Sequence, residues 1–157
     1  AYFLTLLDGQ SGERLLSEER CVALAPSADG RSVYLRHTDH RVSKRRSDGS
    51  ILWEAKVPTG YVATPPLEAG GRVFVLSSLG LLSVLDANDG SLLARYQAFP
   101  FLYAFAAPAF DGERVYVVDM GGNLLALQVT LEEGKMAEEG AEHGKPAEDV
   151  SGSSKAL

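Results

Sequence analysis

The stretch Leu82-Ser83-Val84-Leu85-Asp86-Ala87-Asn88-Asp89-Gly90-Ser91-Leu92-Leu93 decides the fold. An apolar run reaches Asp86, a turn of Ala87-Asn88-Asp89-Gly90 follows, and a second run leaves it. Asx residues and a glycine that accepts positive φ are what a hairpin needs between two strands. The same grammar recurs upstream as Ser47-Asp48-Gly49-Ser50-Ile51-Leu52-Trp53 and, in an incomplete leading unit, as Asp8-Gly9-Gln10-Ser11-Gly12-Glu13-Arg14-Leu15. Gly12 to Gly49 is 37 residues and Gly49 to Gly90 is 41.

Other landmarks keep the same step. Val33, Val73 and Val115 are 40 and 42 residues apart, and so are Pro26, Pro66 and Pro108. Each unit therefore reads as an apolar strand near proline and an Asp-Gly or Gly-Gly turn. An alternating strand such as Val115-Tyr116-Val117-Val118 comes next, and then a second turn at Leu79-Gly80 or Gly121-Gly122. A third strand, the Asp/Gly turn and a fourth strand complete it. Four short strands per roughly 40 residues predict an all-β fold of propeller blades. A β-sandwich uses similar strand spacing and stands as the alternative. No stretch carries a sustained 3.6-residue period, which argues against helical solenoids.

The expected divisions are a partial blade at 1–25, blades at 26–65, 66–107 and 108–130, and a tail at 131–157. The tail holds seven acidic residues against three lysines, −4 of the chain's formal −6, and no Phe, Tyr or Trp. Such a segment cannot bury enough apolar surface to offset its ordering entropy, so an acidic disordered tail is expected. The near-neutral body gives no general attraction to nucleic acid. No run of about 18 apolar residues predicts a membrane span. The single cysteine, Cys21, excludes an intrachain disulfide and reads as a small core residue.

The units resemble the PQQ-like (quinoprotein-type, BamB-like) β-propeller repeats, whose blades carry aspartate, a small residue, glycine, two leucines and tryptophan at the third-to-fourth strand turn. Asp86-Ala87-Asn88-Asp89-Gly90-Ser91-Leu92-Leu93 and Ser47-Asp48-Gly49-Ser50-Ile51-Leu52-Trp53 fit that pattern best, and the resemblance covers about residues 2–130. It implies either a non-catalytic scaffold that binds a protein or peptide, or a piece of a quinoprotein dehydrogenase with its catalytic residues upstream. It also implies a periplasmic or extracytoplasmic setting. The quinone enzymes are similar in having an adjacent cysteine pair, a tryptophan beneath the quinone and Glu/Asn/Asp calcium ligands. Here there is one Cys and one Trp, and Leu16 and Ala94 fill the tryptophan position of neighbouring units. Neither pyrroloquinoline quinone nor calcium is therefore expected to bind.

Two segments are candidates for partner binding. Arg36, His37, His40, Arg41, Lys44, Arg45 and Arg46 form the one basic cluster, either an anion or acidic-peptide site or, the favoured reading, a solvated peripheral strand pair whose charges resist edge pairing. Arg41, Ser43 and Arg45 share one face of that strand, and Val42, Lys44 and Arg46 share the other. His37 and His40 are three apart, a poor spacing for metal ligation from one strand face. Phe99, Phe101, Tyr103 and Phe105 crowd the link between two blades, where they read as buried packing or as an exposed aromatic patch. Three blades and a fragment fall short of the four to eight of a closed propeller. Missing upstream blades, a homo-dimer that closes one ring, or four blades closed by the leading fragment would each complete it, and the abrupt start favours the first.

Overall fold

The computed structural model describes residues 3–60, 64–100, 104 and 106–128. They form four antiparallel sheets in chain order. Sheet I pairs β1 (Phe3–Leu7) with β2 (Arg14–Glu19). Sheet II holds β3 (Cys21–Pro26), β4 (Ser32–His37), β5 (Arg41–Arg46) and β6 (Ile51–Lys56) in meander order. Sheet III repeats that meander with β7 (Leu67–Ala69), β8 (Arg72–Leu76), β9 (Leu81–Asp86) and β10 (Leu92–Gln97). Sheet IV has β11 (Ala109–Phe110), β12 (Arg114–Val118) and β13 (Leu124–Gln128). This is an all-β run of propeller blades, a partial propeller. Among the described residues no strand pairing joins β1 or β2 to sheet IV. None of those residues forms a helix long and apolar enough to cross a membrane. The tail predicted at 131–157 lies outside the described residues.

The repeat spacing holds for the middle strands and slips for the first. Val33, Val73 and Val115 occupy matching places, pairing with Pro26, Glu68 and Phe110. Seven positions separate Pro26 from Val33, but only five separate Glu68 from Val73. The β3–β4 turn is thus two residues longer, and Pro26 ends its strand while Pro66 and Pro108 precede theirs. Sheet II consequently begins at Cys21, and β3 straddles the division drawn at 25/26.

Burial follows strand position. In sheet III, β8 and β9 are buried along most of their length, whereas every residue of the fourth strand, β10, is exposed. The core lies between sheets rather than within one. Phe74, Leu76, Leu82 and Val84 of sheet III meet Val115 and Val117 of sheet IV, with Phe99 and Ala104 from the link between them. On the other side, Val73, Val75, Leu85 and Ala87 meet Tyr34, Val42 and Trp53 of sheet II. A smaller cluster of Leu16, Cys21 and Leu35 joins sheets I and II.

At two junctions the last strand of one sheet docks on the turn between the third and fourth strands of the next. Trp53 donates its indole N–H to the Ala87 carbonyl at 3.2 Å, and Lys44 donates to the same carbonyl at 2.9 Å. The ring lies so close over Gly90 that a Cβ there would sit 2.5 Å from Trp53 Cε3. One unit earlier the docked residue is Leu16, whose Cδ1 would lie 3.3 Å from a Cβ at Gly49.

Candidate functional site

The basic segment is where the molecule departs most from a simple repeat. β4 and β5, expected as a solvated peripheral pair, are the two inner strands of sheet II, each flanked on both edges. At the 40-residue step, Arg36, Lys44 and Arg45 occupy the places of Leu76, Val84 and Leu85, which are core positions. Their charges are inward because neighbouring sheets supply partners that the local sequence does not show.

Arg36 is buried and reaches across to sheet III. Its Nη1 donates to the Thr64 carbonyl at 2.9 Å, to the Leu76 carbonyl at 3.2 Å and to the Thr64 hydroxyl. Burial pulls its pKa down to about 10. The opposite face of sheet II carries an alternating chain of charge. Asp39 accepts from Arg41 at 2.8 Å, and Arg41 donates to Glu54 at 2.9 Å. Glu54 lies 3.7 Å from Arg45, and Arg45 donates to Glu18 of sheet I at 3.0 Å. Arg46 is exposed, with no ion pair among the described residues. Phe99 is buried in the core between sheets III and IV, so at that residue the aromatic link is packing. Phe101, Tyr103 and Phe105 lie outside the described residues.

His37 sits at the centre of this junction, and sequence spacing alone did not single it out. Its Nε2 is 2.9 Å from Ser43 Oγ, and its Nδ1 is 4.0 Å from Glu18 Oε1. Serine, histidine and carboxylate in that order are the parts of a nucleophilic triad, yet the arrangement is not poised for one. Ser43 and His37 are both fully buried, neither of the surface cavities reaches them, and 4.0 Å is too long for the hydrogen bond that orients a catalytic base. The His37–Ser43 bond lies within sheet II, and the tie from Glu18 to that sheet is its ion pair with Arg45.

The buried His37 makes the fold sensitive to acid. Burial, aided by the Arg41 charge, lowers the His37 pKa below its ordinary 6.5, against the opposing pull of Glu18 and Asp39. The unfolded chain therefore binds a proton first as pH drops, so the neutral-His37 contribution is complete above about pH 6.5 and is lost below it. The melting temperature of the parent is expected to fall between about pH 7 and pH 5.5 more steeply than that of His37→Gln. Equal slopes would remove His37 as the cause.

Two open cavities lie along β6. One, of about 420 Å³, runs between Glu54–Val57 and the Asp89–Leu92 turn of sheet III. The other, about 380 Å³, is lined among the described residues by His40, Lys56, Val57 and Pro58. No group of three or more His, Cys, Asp or Glu gathers in metal-binding geometry among the described residues.

A family model described as outer membrane protein assembly factor BamB matches residues 5–150. The chain belongs to the PQQ-like repeat family. Solved structures share its fold. BamB from Moraxella catarrhalis is 20% identical with a TM-score of 0.65, over 76% of this chain and 39% of that one. The computationally designed Ika4 protein is 16% identical with a TM-score of 0.66, over 82% and 80%. A europium-containing methanol dehydrogenase is 18% identical with a TM-score of 0.56, over 65% and 22%. This PQQ-like chain thus spans about two-fifths of the BamB structure's length. A search of curated proteins gives no match.

The one cysteine and the one tryptophan of the sequence are both engaged in packing. Cys21 is buried beside Leu16 and Leu35, and its thiol faces the Ala23 carbonyl. Trp53, the one tryptophan, has its N–H and one ring face committed to Ala87 and Gly90.

Proposed function

We propose that this chain works as a non-catalytic binding platform for a protein partner, of the assembly-factor type and in an extracytoplasmic compartment. The observation that carries the reading is the match to the assembly-factor family over most of the chain. The internal use of Trp53, Arg36 and Arg45 supports it, because residues that would otherwise suggest cofactor or ligand chemistry are engaged in holding blades together. Binding then rests on exposed groups, of which Arg46 on the rim of sheet II is one. Phe101, Tyr103 and Phe105 complete the candidate set by their place in the sequence.

A photo-crosslinking residue at position 46, and separately at 103, in the natural full-length protein tests this. The expected result is an adduct with one defined envelope protein that weakens on Arg46→Glu or on joint Phe101→Ser and Phe105→Ser substitution. If neither change alters the adducts, the platform as placed here is lost. Calcium and pyrroloquinoline quinone are expected to leave the melting temperature unchanged, and a shift would favour a quinoprotein origin.

A further inference from the structure

The turn between the second and third strands occurs three times, and one copy breaks the pattern. Sheets III and IV place glycine at its left-handed position, Gly80 with φ of 80° and Gly122 with φ of 82°. Sheet II places His40 there, with φ of 64°. A side chain in that conformation costs about 1–2 kcal/mol relative to the ordinary region, so glycine is the undemanding choice. Histidine stands where the backbone disfavours it, and departures of this kind concentrate where a side chain has work to do.

The space beside this turn differs too. In sheet III the link after the fourth strand folds Phe99 onto Gly80, so that a Cβ on Gly80 would lie 2.5 Å from the Phe99 carbonyl oxygen. Ala98 N–H bonds the Gly80 carbonyl at 2.8 Å, just as Val57 N–H bonds the His40 carbonyl at 2.9 Å. Pro58 therefore takes the place of Phe99. Instead of a filled contact there is the 380 Å³ cavity lined by His40, Lys56, Val57 and Pro58. That size is within the range of small-molecule pockets.

The donors of this pocket are set by its surroundings. Thr59 N–H donates to His40 Nδ1 at 3.4 Å, and the Thr59 hydroxyl lies 3.3 Å from the same atom. With Nδ1 accepting, the neutral ring carries its proton on Nε2, a donor with no partner among the described residues. Lys56 likewise has no ion pair there, while the nearby carboxylates are taken: Asp39 and Glu54 both accept from Arg41. Two uncommitted donors, one cationic, lie against the apolar walls of Val57 and Pro58, and among the described residues no acid lines the cavity.

We propose that this cavity binds a carboxylate carried on an apolar body, held by His40 Nε2–H and the Lys56 ammonium, with the apolar part on Val57 and Pro58. The carboxylate could be that of a free small acid or the C-terminus of a peptide, and the two share this chemistry. The assignment is independent of the platform reading, since a free acid would occupy the site whether or not a protein partner binds elsewhere.

The test titrates the whole chain with 4-phenylbutyrate and with 4-phenylbutanol, following the His40 ring protons by NMR. The acid is expected to shift them saturably and the alcohol to bind about tenfold or more weakly, because it lacks the charge-assisted hydrogen bond. His40→Gly and Lys56→Gln should each weaken acid binding by about tenfold, read for His40→Gly by calorimetry. His40→Gly restores the residue of the other two turns, so it should fold at least as stably as the parent, and lost binding cannot be blamed on unfolding. Acetyl-Gly-Gly-Phe as free acid and as amide forms the second arm. Binding of the peptide acid alone marks a chain terminus as the source, and binding of phenylbutyrate without the peptide marks a free acid. Equal binding of acid and alcohol, or undiminished acid binding by both variants, overturns the proposal.

Discussion

Trp53→Ala is expected to cost about 3–5 kcal/mol of folding stability, the range for emptying a large aromatic site. The residue is 7% exposed, packs on Tyr34 with ring centroids 5.8 Å apart and bonds the Ala87 carbonyl of the next sheet. Its removal opens a gap between two blades that rigid sheets cannot close. Gly90→Ala attacks the same contact from the other side, since the added Cβ would meet Trp53 Cε3 at 2.5 Å on a backbone with φ of 76°. Measured by urea denaturation in a Trp53→Ala background, the clash is gone and only the left-handed penalty of about 1–2 kcal/mol should remain. Additivity of the two substitutions would mean that ring and turn are not in contact.

The junction between sheets I and II should fail differently. Glu18→Ala is expected to destabilise by about 3 kcal/mol, because it strips Arg45 of its nearest carboxylate where both side chains are largely buried. Arg45→Leu together with Glu18→Leu should instead fall within about 1 kcal/mol of the parent, because apolar residues of suitable volume often replace a buried ion pair without loss. Leucine is what stands at the equivalent positions 85 and 127. Urea midpoints of the single and double variants decide the matter. A double variant as weak as Glu18→Ala would show that the pair contributes more than mutual neutralisation.

The repeat and its turns were legible because they depend on local chemistry. Asp48-Gly49 and Asp89-Gly90 announce hairpins wherever they stand, and the β-branched strands between them need no distant partner to be recognised. The Pro26 alignment misled because proline marks a strand end on either side, and only the pairing with Val33 shows which. The basic segment misled for a deeper reason. Charge on both faces of β5 reads as solvent exposure when taken alone, whereas Arg45 meets Glu18 across 27 residues and Lys44 meets Ala87 across 43. The signal was present in the repeat register, where Arg36, Lys44 and Arg45 coincide with Leu76, Val84 and Leu85. His40 was likewise visible as the residue opposite Gly80 and Gly122, though its φ and its cavity were not.

The ion pair between Glu18 and Arg45 also bears on how similar blades find their order. Units alike in turn and strand offer each fourth strand several near-identical neighbours on which to stack, and exchange between repeats is a common misfolding route. Were β2 to dock on sheet III instead of sheet II, Glu18 would be carried to the place of Leu85, an uncompensated charge in an apolar seam. Trp53, placed on sheet I, would forfeit its glycine-lined seat at Gly90. Each junction thus carries its own address, and the charged one is written against the wrong neighbour as much as for the right one.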